Sequence, residues 1–143
     1  MEELSNRRLA GTWKLISASS KTPNGEQIDT PYGSNPTGLL TYTEEGRVAS
    51  VISYGGRKPL PLTGGTTEQQ AEAFKTCLAY AGVYTLDGDK IVHHVEVSSI
   101  QNYVGRELAR QIKFEDDRII LVTPPTSVNG KIQSVVLTWE RLK

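Results

Sequence analysis

The stretch Tyr84-Thr85-Leu86-Asp87-Gly88-Asp89-Lys90-Ile91-Val92-His93-His94-Val95-Glu96-Val97 decides the fold. Two runs rich in β-branched residues flank Asp87-Gly88-Asp89, a turn in which Gly88 is free to take a positive φ, so the segment reads as a β-hairpin. Both histidines of the chain stand side by side in its second strand. Successive strand residues point to opposite faces, so one histidine looks into whatever the sheet encloses and the other outward.

Working outward, further strands are expected at Arg106 to Glu115, Arg118 to Thr123 and Ile132 to Arg141, joined by Asp116-Asp117 and by Pro124 to Lys131. Upstream, Gly11 opens a strand through Ser19 after a single helical turn at Asn6 to Ala10, for which Ser5 is the cap. Thr37 to Thr43 and Arg47 to Tyr54 form a second hairpin around Gly46. The segment from Lys21 to Pro36 is rich in proline and glycine and reads as a long loop, the kind that forms a rim or lid. After Gly55 to Gly65 the period changes. Thr66 or Thr67 caps a helix with Gln69 or Gln70 as capping-box partner, and Ala71, Phe74, Leu78 and Ala81 recur at helical spacing up to Gly82. A strand at Val83 to Leu86 follows.

Eight strands, one helix and short links between the later strands predict an all-β architecture: an eight-stranded antiparallel up-and-down barrel with the helix between strands three and four. A sandwich would need longer crossovers. The helix is placed to plug or cover one open end.

Composition bounds the function. The 143 residues are 37% hydrophobic and 22% charged, as for one soluble domain spanning residues 1–143. Sixteen Lys plus Arg balance sixteen Asp plus Glu, which removes the electrostatic case for nucleic acid or an anionic membrane as partner. The single cysteine, Cys77, has no internal partner and reads as a small apolar residue of the helix core. The polar N-terminus and the absence of a long apolar run lead to the expectation of a cytoplasmic protein, a monomer or homodimer. No cofactor pattern and no metal spacing occur, and adjacent strand histidines cannot share an ion. Arg57-Lys58 beside Gly55-Gly56 is too short for a phosphate loop.

Parity names the candidate site. Leu108, Arg110, Ile112 and Phe114 alternate with Glu107, Ala109, Gln111 and Lys113, which puts Arg110 on the apolar inner face. A buried arginine must be paired, by Glu96, by backbone carbonyls or by an anionic ligand. Ile91, His93, Val95 and Val97 form the more apolar face of the hairpin strand, so periodicity turns His93 inward. His93, His94 and Tyr84 are the candidate acid–base groups. Arg110, Tyr42, Tyr54, Ser50, Leu108 and Ile112 are candidate ligand contacts. Small residues at Ala49, Ser50, Ala109 and Ser134 point to an open interior.

Gly11-Thr12-Trp13 after a helical turn, Gly38-Leu39-Leu40-Thr41-Tyr42-Thr43 with Gly46, Gly82-Val83-Tyr84, His93-His94-Val95, Gly105 with Arg110, and Leu137-Thr138-Trp139-Glu140-Arg141 resemble the lipocalin-like domain family. The sequence departs from the secreted lipocalin pattern of signal peptide, disulfide pair and final helix, so retinol-type transport outside cells is not expected. The resemblance implies a calyx for a small, largely apolar molecule, with Trp13 stacked on Arg141 at the closed end. It also implies two open functions: a binding module for a hydrophobic metabolite, anionic or polyketide- or terpenoid-like, and a cofactor-independent isomerase or cyclase of natural-product biosynthesis. A barrel filled by its own side chains is the third reading.

Overall fold

A computed structural model describes residues 4–29, 31–128 and 130–143. Its strands are β1 (Gly11–Lys21), β2 (Gln27–Asp29), β3 (Thr37–Tyr42), β4 (Arg47–Ser53), β5 (Cys77–Asp87), β6 (Lys90–Ser98), β7 (Glu107–Glu115), β8 (Arg118–Val122), β9 (Thr126–Val128) and β10 (Lys131–Arg141). Helices α1 (Asn6–Leu9) and α2 (Thr67–Lys75) precede β1 and β5. The strand order β1-β3-β4-β5-β6-β7-β8-β10, with β10 paired back onto β1, closes an eight-stranded antiparallel barrel. Trp13 pairs with Arg141 and Leu15 with Trp139 across that seam. The short β2 and β9 extend β1 and β10 inside segments expected to be loops.

Alternation explains the closed end. Trp13, Leu15, Leu40, Tyr42, Val48, Tyr84, Ile91, Ile119 and Trp139 all turn inward and are buried. The Ser5 hydroxyl caps α1 by accepting from the Arg8 amide, and α1 lowers Leu9 into the barrel base. The Trp13 indole donates to the Leu9 carbonyl at 3.0 Å. The Arg141 guanidinium stacks 4.2 Å from the centre of that indole and donates to the carbonyls of Ala10 and Arg8. The expected stack is therefore the device that seals the base.

The helix between the third and fourth barrel strands is shorter than its spacing predicts. Thr66 and Gln69 form the capping box, but α2 ends at Lys75, and residues 77–82 belong to β5. Leu78, Ala81 and Cys77 are strand residues: Cys77 pairs with Ser53, Leu78 with Ile52 and Ala81 with Ala49. Pairing with β4 overrides a pattern that fits both periods. No residue of α2 is buried and Phe74 is 52% exposed, so the helix is not a plug sunk into the barrel.

Gly82, read as a helix stop, sits inside β5 at a bulge. A Cβ there would lie 1.9 Å from the His94 carbonyl oxygen, so only glycine admits the approach of β6. The register slips between Ala81 and Gly82, which face Val97 and Val95. One extra residue reverses the alternation beyond it. Val97, expected inside with His93, is consequently 62% exposed.

Candidate functional site

Along β6, Ile91, His93 and Val95 are buried whereas His94 keeps access to solvent. His93 is 2% exposed and meets side chains from two other strands. Its Nε2 lies 2.7 Å from the Tyr42 hydroxyl and its Nδ1 2.6 Å from the Tyr80 hydroxyl. Burial, helped by the charges of Arg110 and His94, lowers its pKa from 6.5 to about 3, so the ring is neutral at physiological pH. Burial likewise pushes Tyr80 up to about 12 and Tyr42 well above the usual phenol range. Both tyrosines hold their protons.

His94 points out of the barrel, its Nε2 2.9 Å from the Thr85 hydroxyl and its Nδ1 3.5 Å from a Glu107 carboxylate oxygen. Tyr84 faces His93 in register, yet its hydroxyl donates to the Thr43 carbonyl at 2.7 Å. It is therefore not the histidine's helper. That place belongs to Tyr80, which a helical reading of residues 77–82 hides. The alternation Tyr80, Gly82, Tyr84 was the signal that could have found it.

Above His93 the barrel opens into a cavity of about 680 Å³, whose lining includes Tyr32, Tyr103, Arg106, Leu108, Arg110 and Lys131. Arg110 and Leu108 reach it as parity predicts. Ile112 belongs to the packed core, Ser50 is buried, and neither they nor Tyr42 line the cavity. Tyr54 packs edge-on against Tyr32 with ring centres 5.1 Å apart, at the rim. Tyr32 comes from the long loop, whose backbone is tied where the Gly55 amide donates to the Tyr32 carbonyl at 3.0 Å. Tyr103 and Arg106 lie between β6 and β7, where no periodicity marks them. Of the four small residues, Ser50 alone is buried, while Ala49 is on the exposed face. Ala109 and Ser134 neighbour the inward Arg110 and Val135 and so take the other face. These residues do not line the cavity.

Arg110 has no carboxylate partner among the described residues. Glu96 instead pairs with Arg47 at 3.0 Å on the outside. Among the described residues, the one hydrogen bond of the Arg110 guanidinium runs from Nη1 to the Ala109 carbonyl at 2.9 Å, which leaves most of its donors for an occupant of the cavity. Among the described residues, no group of three or more His, Cys, Asp or Glu could hold a metal ion. No helix among them is long and apolar enough to cross a membrane.

With this geometry, the match of residues 10–142 to the lipocalin-like domain model settles the class: the chain belongs to the lipocalin-like domain family. It is also similar to the 4'-hydroxy-3'-methoxypropiophenone carrier protein ppsC of Aspergillus oryzae, 32% identical over 87 residues, 54% of this chain and 78% of that one. Among solved structures, an uncharacterized protein of Bacteroides eggerthii aligns over 94% of this chain and 99% of its own at 12% identity and TM-score 0.45. Secretory abundant heat soluble protein 4 of Ramazzottius varieornatus aligns over 99% and 100% at 14% identity and TM-score 0.43.

Proposed function

We propose that the protein, acting as one domain, binds a small, largely apolar molecule in the open half of the barrel and anchors an anionic or electron-rich oxygen of it on Arg110. The observation that carries this reading is the 680 Å³ cavity whose lining brings in Arg106, Arg110 and Lys131 and no Asp or Glu among the described residues. A recess that combines apolar walls, here Pro31, Leu108, Pro124 and Val135, with convergent donors is the usual form of a small-molecule site. The similarity to a carrier of 4'-hydroxy-3'-methoxypropiophenone supports transport or storage over chemistry, and an oxygen-bearing aromatic over a plain hydrocarbon. Native mass spectrometry of the purified protein tests it, followed by titration with that ketone. A one-to-one complex is expected. A barrel that purifies empty and binds neither the ketone nor an anionic dye would overturn the reading.

A second reading, a cofactor-independent isomerase or cyclase, draws on one observation: His93 lies within hydrogen-bond reach of two tyrosines and in the field of Arg110. Both imidazole nitrogens are engaged, so a proton would have to pass through Tyr80 rather than directly to the ring. Comparing His93→Gln with His94→Gln on a bound pathway intermediate separates the two. Turnover lost only in the first variant supports catalysis. Unchanged turnover in both removes the two histidines from the chemistry, and a wild type without turnover leaves the carrier.

A further inference from the structure

We propose that Tyr80, just below the lining of the cavity, keeps an uncommitted hydroxyl hydrogen and offers it, with the Arg110 guanidinium, as a two-donor seat for a carbonyl-type acceptor oxygen of the ligand, a deepening that rests on the binding reading above. The basis is a count of donors and acceptors. A neutral imidazole offers one N–H and one lone pair, and here both nitrogens face a tyrosine hydroxyl, at 2.7 Å from Tyr42 and 2.6 Å from Tyr80. One tyrosine must donate to the ring. The other accepts from it and keeps its own hydrogen.

Two arrangements satisfy that count, and burial separates them. Tyr42 is 1% exposed, packs edge-on against Tyr84 with ring centres 4.9 Å apart, and finds its hydroxyl's hydrogen-bond partner in His93 alone among the described residues. Were Nε2 to carry the proton, the Tyr42 hydrogen would be orphaned in the barrel's filled half, a costly state for a buried donor. With the proton on Nδ1, Tyr42 donates to Nε2, Nδ1–H donates to the Tyr80 oxygen, and the spare hydrogen belongs to Tyr80.

Tyr80 is the member of the pair that can use it. Its backbone pairs with Ser50 and Ser98, toward the open end, and it keeps 9% exposure. Tyr80 does not itself line the cavity, but its partner His93 pairs in register with Leu108, which does. Arg110 lines the cavity directly and brings further N–H groups to it. A seat made of these two donors fits an oxygen that only accepts, and a ligand hydroxyl offering its hydrogen there would meet a second hydrogen instead.

Two measurements test the seat. Heteronuclear NMR of the imidazole nitrogens in the ligand-free protein, assigned by comparison with His94→Gln, is expected to show His93 protonated at Nδ1; protonation at Nε2 overturns the proposal without any variant having to fold. The second uses acetonaphthone and ethylnaphthalene, near-isosteric probes with and without a ketone oxygen, titrated into wild type and Tyr80→Phe. The ketone is expected to bind wild type about tenfold more tightly, and Tyr80→Phe to lose that preference while holding ethylnaphthalene as before. Equal binding of both probes by wild type, or a preference that survives in Tyr80→Phe, sinks the seat and leaves the cavity reading intact. Binding of neither probe withdraws the cavity reading and the seat with it.

Discussion

His93 and Tyr42 stand on β6 and β3, strands that are not neighbours in the barrel, and their side chains meet across its interior at 2.7 Å. With Tyr80 they span the lumen at mid-height. The packed base lies on one side of them and the cavity on the other. A polar cross-brace of this kind is stable only when each member is satisfied.

Tyr42→Phe strands the Nε2 lone pair away from water and should cost about 1–3 kcal/mol in chemical denaturation. Tyr80→Phe should cost less, because Tyr80 is the more exposed of the two tyrosines. A larger loss for Tyr80→Phe would place the brace the other way up.

Acid should weaken the fold through His93. Its pKa is about 3 in the folded chain against 6.5 for the free side chain, so below pH 6.5 the unfolded state takes up a proton that the native state refuses. Stability then falls as pH drops, on the order of 1 kcal/mol per unit, until the native ring itself protonates near pH 3. Urea midpoints between pH 6.5 and about pH 5, above most carboxylate titration, should slope less in His93→Gln. Parallel slopes would mean that another group carries the dependence.

Trp13→Ala should cost about 3–5 kcal/mol, since the indole is 1% exposed and anchors both Leu9 and the Arg141 stack. Variants that still fold at low temperature should bind cavity ligands as wild type does, because Trp13 lies at the opposite end. Selective loss of binding in an intact variant would put Trp13 in the site.

Arg110→Met keeps length and apolar volume but removes the charge. Affinity for anilinonaphthalene sulfonate should drop about tenfold, while stability shifts by less than about 1 kcal/mol because the lost partner is one carbonyl next in the chain. A large stability loss with unchanged dye binding would make Arg110 structural.

The sequence by itself determined what depends on near neighbours. Alternation along β6 and β7 turned His93 and Arg110 inward, the Asp87-Gly88-Asp89 turn placed the hairpin, and Thr66 with Gln69 fixed the start of α2, because strand pleat, turn and cap are set within a few residues. Tertiary structure decided everything that depends on distant partners. Residues 77–82 satisfy both helix and strand spacing until β4 pairs with them, and that pairing is what brings Tyr80, rather than Tyr84, to His93. The bulge at Gly82 turned Val97 outward, and the ring's closure separated a sealed base from an open mouth. A local pattern fixes which face a side chain takes, but its depth along the barrel axis and the group it meets across the lumen follow from strand register, which is set by contacts far apart in the chain.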